Sequence, residues 1–204
     1  YAFSKGHSAS YAVESYQCMF LKTHFPLEYM VAVINNGGGF YRPEIYFHEA
    51  RLCGAIIHAP HINYSEAKTI IKGKVIYIGF DHLAEFETNV ITQLINERKE
   101  HGVFSSLQNF MGQVDISVEQ LRKLMRVGAF EFTGRSKKQL LWDIHTQIGA
   151  QKKTSTRHEL FEVEQREFTL PPLFHHSLDD AWDQIEILGF PLCSPFNLIK
   201  EVAD

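Results

Sequence analysis

This sequence of 204 residues contains no long apolar run and no closely spaced pair of cysteines. One of its longest apolar stretches, residues 29–34, falls well short of the roughly 18 residues that a membrane span needs, so no such span is predicted. No basic-then-apolar pattern opens the sequence, so no signal peptide is predicted either. Its three cysteines, Cys18, Cys53 and Cys193, are widely spaced and form no CxxC pair. They predict reduced thiols in a cytoplasmic protein and neither a disulfide framework nor a metal site.

The composition is that of a folded protein with a core, but its charge is distributed unevenly. Apolar residues make up 45% and charged residues 22% of the chain, which is typical of globular proteins. Residues 116–160 contain nine Lys/Arg and four Asp/Glu, whereas residues 161–204 contain two and nine. A polyanion would therefore meet a basic patch followed by an acidic segment, although the net charge of the whole chain is only −4.

Helix signals dominate the sequence. Ser117 with Gln120, and Ser136 with Gln139, match the capping-box pattern, and Ser177 is a third candidate cap. Apolar residues follow each start at helical spacing, and a glycine ends each segment. Five helical segments are predicted in this way. Each begins at a proline or a cap and stops at or just before a glycine, and they are 26–36, 43–54, 117–128, 136–149 and 177–189.

Strand signals are sparse. Residues 74–80 (KVIYIGF) are β-branched and aromatic, and residues 55–58 are a possible partner strand. Residues 151–176 lose apolar periodicity and contain Pro171–Pro172, which indicates a linker or an extended arm. The sequence therefore predicts a mostly α-helical protein with a small β element, divided into two or three subdomains.

Five motifs follow one another along nearly the whole chain. They are residues 1–11 (YAFSKGHSASY), 16–26 with YQ and LKTHFP, 49–65 with EAR, APHIN and S, 97–130 with ER, GVF and SL, and 188–192 (LGFPL). In this order they resemble the fingers, the tandem helix-hairpin-helix segment and the element before the OB-fold in the bacterial DNA polymerase III alpha subunit family, the C-family polymerases. Residues 38–43 (GGFYRP) resemble an element of the error-prone branch of that family.

The resemblance implies a domain organisation and a function. It implies a helical fingers subdomain in residues 1–75, a tandem helix-hairpin-helix domain in residues 76–150, and a linker or arm with a helix in residues 151–204. The implied activity is template-directed DNA synthesis, with Mg²⁺ held by carboxylates of a palm upstream of Tyr1. This segment alone is then expected to hold no metal and to extend no primer. Expected partners are primer–template DNA, dNTPs and, through other regions, the sliding clamp, but no membrane.

Two groups of residues are expected to carry this function. The resemblance implies that Lys5 and His7, in a loop before a helix with Tyr11 one turn beyond, contact the nucleotide or the template. A helix-hairpin-helix unit offers backbone N–H groups to DNA phosphates without reading sequence. The residues expected to bind duplex DNA at the second hairpin are Lys123, Arg126, Gly128, Arg135, Lys137 and Lys138.

The first hairpin departs from the family pattern, which has KGVGEG where this chain has HLAEFE at residues 82–87. Its glycines are absent, and Glu85 and Glu87 would repel phosphate. We therefore expect one hairpin to bind DNA and the other to be structural. Two alternatives stay open, namely a non-catalytic DNA-binding or scaffold module and a protein-interaction surface in the acidic residues 161–204.

Three further features are interpreted as structural. Asp179, Asp180 and Asp183 are expected to be solvated and to stabilise a helix start. The close histidine pairs at 58/61 and 175/176 lack completing ligands, so no metal site is predicted there. The aromatic residues are expected to form core, because the sequence shows no rings beside cations that would suggest base stacking.

Overall fold

The computed structural model describes residues 4–144, 174, 176 and 178–199. Helices dominate these residues and accompany one small sheet, which confirms the predicted fold class. No helix in this described part is both long and apolar enough to cross a bilayer. The helices are α1 (Lys5–His24), α2 (Pro26–Asn35), α3 (Pro43–Leu52), α4 (Thr88–His101), α5 (Leu107–Gln113), α6 (Val118–Val127), α7 (137–144 as described), α8 (Asp179–Leu188) and α9 (Pro195–Ile199), and the strands are β1 (Ile56–His58), β2 (Ile70–Lys72) and β3 (Val75–Tyr77).

The described residues form two compact units. Unit 1 contains residues 4–58 and 64–82, and unit 2 contains residues 59–63 together with the described residues from 83 onward. The domain boundaries inferred from the resemblance stay predictions.

In unit 1, α2 and α3 supply much of the buried apolar surface. Both begin at a proline, Pro26 or Pro43, whose fixed φ suits the first helical position. The buried residues of α3 are Phe47 and Ala50. Burying one large apolar side chain stabilises the fold by about 1.5–3 kcal/mol. The buried residues of α2 are those that its helical spacing predicts, Leu27, Met30, Val31 and Ile34.

The sheet of unit 1 has the order β1-β3-β2. Strand β3 pairs with β1, the partner that the sequence offered, and the pairing is parallel. It also pairs antiparallel with β2, which the sequence did not predict. Gly79 follows β3 where a Cβ would lie only 2.4 Å from the carbonyl carbon of Lys68. The Asn35 side chain donates to the Thr69 carbonyl (2.7 Å) and accepts from the Thr69 N–H (3.0 Å), which fixes β2 against α2.

Unit 2 contains α4 to α9. The Ser106 and Ser117 hydroxyls accept backbone N–H groups at the starts of α5 and α6, as N-cap residues do. Phe110 lies at the centre of the core, with its ring centroid 5.1 Å from that of Phe104 and 5.2 Å from that of Phe130 in edge-to-face geometry. Aromatic pairs prefer this arrangement, so the core of unit 2 rests on packed phenylalanines.

Helix α8 differs from its prediction in two respects. It begins at Asp179 with Leu178 as N-cap, and no side chain caps it. Ser177, the predicted cap, lies outside the described residues, as do the predicted stop at Gly149 and nearly all of residues 151–176. Trp182, one of the apolar residues that follow Ser177 at helical spacing, is 61% exposed. The helix instead buries Ala181, Ile187 and Leu188.

Candidate nucleic-acid interface

The predicted nucleotide- or template-contacting residues lie on α1, not in a loop. Lys5 is the first residue of this helix, and residues two positions apart in a helix point to nearly opposite sides. His7 and Tyr11 are one turn apart, and their ring centroids lie 6.1 Å from each other in a stacked arrangement. The structure therefore brings His7 and Tyr11 together but does not bring Lys5 to them. No side chain of α1 is buried.

The second hairpin runs from the end of α6 to the start of α7. Gly128 ends α6 with φ of 90°, in the left-handed region, and its N–H donates to the Met125 carbonyl (3.0 Å). The capping box before α7 is complete, because Ser136 N–H donates to Gln139 Oε1 (2.9 Å) and Gln139 N–H donates to Ser136 Oγ (3.2 Å). The first turn of a helix leaves backbone N–H groups without intrahelical acceptors, so the start of α7 presents a positive field.

An open groove of about 930 Å³ lies between α6, α7 and α8 in unit 2. The Trp182 side chain also lines it. Of the six residues predicted to bind DNA, only Lys123 lies outside the lining. The groove collects Gly128 and the basic residues of the second hairpin with acidic residues of α8. The basic residues are Arg126, Arg135, Lys137 and Lys138, and the acidic ones are Asp179, Asp180 and Asp183.

Arg126 binds two carboxylates of α8. Its Nε lies 2.7 Å from Asp183 Oδ1, and its two terminal nitrogens donate to the Glu186 carboxylate. The hydrogen bond to Glu186 raises the pKa of Arg126 further above its ordinary value, against the opposing effect of burial. The same hydrogen bond lowers the pKa of Glu186. The guanidinium therefore remains charged and held at the face of α8.

Two lysines of α7 bind the start of α8. Lys137 Nζ lies 2.7 Å from Asp180 Oδ1, and Lys138 Nζ lies 2.9 Å from Asp179 Oδ2. The interpretation of Asp179, Asp180 and Asp183 as solvated was therefore incomplete, because each also pairs with a cation. Asp179 and Asp180 do lie in the first turn of α8, where negative charge stabilises a helix.

The other two predicted cations are also paired. Arg135 forms an ion pair with Asp143 of α7. Lys123 Nζ donates to the Ala84 carbonyl (2.8 Å) and lies 3.7 Å from the Glu85 carboxylate. All five cations that the sequence assigned to DNA thus have carboxylate partners in the same unit. The acidic segment that follows the basic one supplies the carboxylates for Arg126, Lys137 and Lys138. The other two partners, Glu85 and Asp143, lie outside that segment.

The first hairpin is held by the side chain of Gln120, whose backbone takes part in the predicted cap of α6. Ser117 Oγ accepts the Gln120 N–H (3.3 Å), as predicted. The Gln120 side chain, however, donates to the Glu85 carbonyl (2.9 Å) and accepts the Glu87 N–H (3.2 Å). Glu85 has φ of 52°, a left-handed conformation at a position where the family pattern has glycine. The Glu87 N–H of this hairpin is therefore already bonded within the protein.

His61, of the close histidine pair 58/61, has a structural role. His61 Nδ1 accepts the N–H of Asn63 (3.0 Å), and the His61 ring lies 5.7 Å from that of Phe132. Across the residues with described positions, His, Cys, Asp and Glu nowhere form a group of three or more that could hold a metal ion.

Comparison with known proteins gives one matching family model and several relatives. A family model described as a helix-hairpin-helix motif matches residues 54–140. The chain is 28% identical over 144 residues to "DNA polymerase III subunit alpha" of Mycobacterium tuberculosis, which covers 69% of this chain and 12% of that protein.

Two further relatives match more of the chain. "Error-prone DNA polymerase" of Bdellovibrio bacteriovorus is 25% identical over 91% of this chain and 18% of its own length. "DNA polymerase III subunit alpha" of Buchnera aphidicola is 28% identical over 98% of this chain and 19% of its own length. This chain thus spans less than a fifth of the curated relatives it matches. It carries a helix-hairpin-helix motif and is similar over most of its length to a segment of bacterial DNA polymerase III alpha subunits and error-prone DNA polymerases.

Proposed function

We propose that this chain is a segment of a C-family DNA polymerase and that its second hairpin binds duplex DNA without sequence preference. The observation that carries the proposal is the groove in unit 2, where Arg126, Lys137 and Lys138 flank a glycine-terminated hairpin inside the matched helix-hairpin-helix motif. Cations beside a helix start can bind a phosphate. They contact no base edges, so this binding has no sequence preference.

Helix α8 makes this binding weak. Phosphates must replace the carboxylates that Arg126, Lys137 and Lys138 now contact. If three phosphates are neutralised, log K falls with log salt at a slope of about −2.7. The dissociation constant is then micromolar or weaker, as is common for non-specific binding.

The first hairpin has a structural role in this proposal. Gln120 and Lys123 occupy its backbone groups, and Glu85 adds negative charge at its tip. The second hairpin is then the one that contacts DNA.

The activity of the whole polymerase belongs to a longer protein. In this proposal residues 1–75 belong to the fingers, residues 76–150 to the helix-hairpin-helix domain and residues 151–204 to an arm. The substrates of the whole polymerase are primer–template DNA and dNTPs, and Mg²⁺ binds to carboxylates outside this segment. Other regions of the polymerase bind the sliding clamp, and the protein acts in the cytoplasm. This chain with Mg²⁺ and dNTPs would extend no primer, and extension above a heat-inactivated control would contradict this assignment.

The fingers proposal has its own test. His7 and Tyr11 share one exposed side of α1 and would contact the nucleotide or the template there, with Lys5 at the helix start. In a full-length polymerase that contains this segment, Lys5→Ala and His7→Ala should impair nucleotide incorporation more than DNA binding. Unchanged nucleotide KM and kcat in both variants would remove these residues from the site.

A DNA titration tests the hairpin proposal. Fluorescence anisotropy with a labelled 20-base-pair duplex should show that Lys137→Glu weakens binding. Lys99→Glu is the matched control, because Lys99 is an exposed lysine of unit 2 outside the groove. Equal effects of the two reversals would mean that the groove does not bind duplex DNA.

The second candidate function is a scaffold module whose hairpins no longer bind DNA. The pairing of all five predicted cations with carboxylates favours it. Absence of binding at low salt, even with the α8 carboxylates neutralised, would select the scaffold over the DNA-binding segment.

A further inference from the structure

The outer face of the small sheet in unit 1 carries aromatic and basic side chains. The register aligns Ile56 with Val75 and Lys72 in one cross-strand row, and it aligns His58 with Tyr77 and Ile70 in the next. Side chains alternate between faces along a strand, so these six share one face. The opposite face carries Ile76, which is fully buried. The six residues are therefore on the face directed away from the core.

Three rings form a continuous cluster on this face. The rings of His58 and Tyr77 stack with centroids 5.4 Å apart and an interplanar angle of 26°. The Tyr64 ring lies 5.3 Å from the Tyr77 ring and is tilted by 39°. His58 is exposed, Tyr77 is half-buried and Tyr64 is 45% exposed. The buried aromatic rings of the same unit, Phe47 and Phe80, are by contrast inaccessible to solvent.

A lysine without a carboxylate partner lies over these rings. Lys72 Nζ is 5.4 Å from the Tyr64 centroid and 5.9 Å from the Tyr77 centroid. Within the described part of the chain, Lys72 forms no ion pair, which distinguishes it from the five cations of the hairpin groove. An exposed cation–π contact contributes only about 0.5–1 kcal/mol, so the ammonium can turn toward an anion at small cost.

We propose that this face, defined by His58, Tyr64, Lys72 and Tyr77 and called here the ring face, binds single-stranded DNA. Exposed rings stack on unpaired bases of any sequence, and an adjacent cation meets the phosphate between them. The bases of a duplex are already stacked on each other, so the ring face selects single strands. This site lies in unit 1 and goes beyond the duplex contact proposed for unit 2.

The experiment measures the anisotropy of labelled dT20 with the full chain of 204 residues. Tyr64→Ala and Tyr77→Ala should each weaken binding about five- to tenfold, whereas Tyr64→Phe and Tyr77→Phe keep the ring and should bind like the wild type. Lys72→Gln should make the salt slope less negative by about 0.7, the value for one phosphate on a single strand. Lys74→Gln is the matched control, because Lys74 is an exposed lysine of the same hairpin with no ring contact.

The outcomes separate this proposal from the hairpin proposal. Lys137→Glu should weaken duplex binding and leave dT20 binding unchanged, whereas Tyr64→Ala should do the reverse. If Tyr77→Ala fails to fold, Tyr64→Ala still decides the test, because Tyr64 lies outside the strands. The proposal is overturned if dT20 does not bind, if the Ala and Phe variants bind alike, or if the ring face instead mediates self-association that Tyr64→Ala abolishes in light scattering.

Discussion

Neutralising the start of α8 should strengthen duplex DNA binding. The variant Asp179→Asn/Asp180→Asn/Asp183→Asn removes the carboxylates that contact Lys138, Lys137 and Arg126. Glu186 still contacts Arg126 in this variant. Lys137 and Lys138 would then reach phosphates with little intramolecular competition, and Glu186 alone would compete with phosphate for Arg126.

The magnitude follows from the cost of breaking these pairs. Partly exposed ion pairs contribute about 0.5 kcal/mol each, so three pairs oppose DNA binding by about 1.5 kcal/mol. Their removal should tighten binding about tenfold, since 1.4 kcal/mol corresponds to one factor of ten. The salt slope should stay near −2.7, because the same three phosphates are neutralised in both proteins.

The assay is the anisotropy titration with duplex DNA at two salt concentrations, with circular dichroism to verify folding. A control variant, Glu100→Gln/Asp115→Asn/Glu119→Gln, changes the net charge equally at exposed carboxylates that form no ion pair in the described part of unit 2. If both triple variants bind equally tightly, only net charge matters. The reasoning about α8 is then wrong.

Three further predictions concern stability. Gln120→Ala should lower the free energy of unfolding by about 1–3 kcal/mol, because it leaves the Glu87 N–H without its acceptor. Urea denaturation measures this loss. A loss no larger than that caused by Gln113→Ala would contradict the role of Gln120. Gly128→Ala should lower the free energy of unfolding by about 1–2 kcal/mol, because φ at this position is 90°. Gly112→Ala in α5 should not destabilise the protein, because a Cβ there meets nothing within 4 Å. Equal melting temperatures of the two variants would refute this. Burial lowers the pKa of His82 below its ordinary 6.5, and Asp81 opposes this shift. The unfolded chain therefore binds the proton more readily, and stability should fall as the pH drops below about 6.5. His82→Gln should lose part of this pH dependence in thermal melts at pH 7.0 and 5.5, and an equal change in melting temperature for the variant and the wild type would contradict the prediction.

Local signals were sufficient for much of the fold. The start of α2 at Pro26 and the capping box of Ser136 with Gln139 depend on residues a few positions apart. Helix α1 shows the limit of such signals. None of its side chains is buried, so no repeat of buried positions marks this helix in the sequence. The resemblance alone placed Lys5 and His7 in a loop. Strand β2 is three residues long, and its pairing with β3 became visible only in the sheet.

The sequence by itself determined the helical fold class, the basic hairpin and the acidic segment after it. Only the tertiary structure decided that these charges meet, because Arg126 and Asp183 are 57 positions apart and no local period connects them. The same holds for the Gln120 side chain, which contacts Glu85 across 35 positions, whereas the Ser117 hydroxyl caps α6 as the local pattern predicted. Long-range pairing depends on how whole helices pack, and packing is a property of all their side chains together.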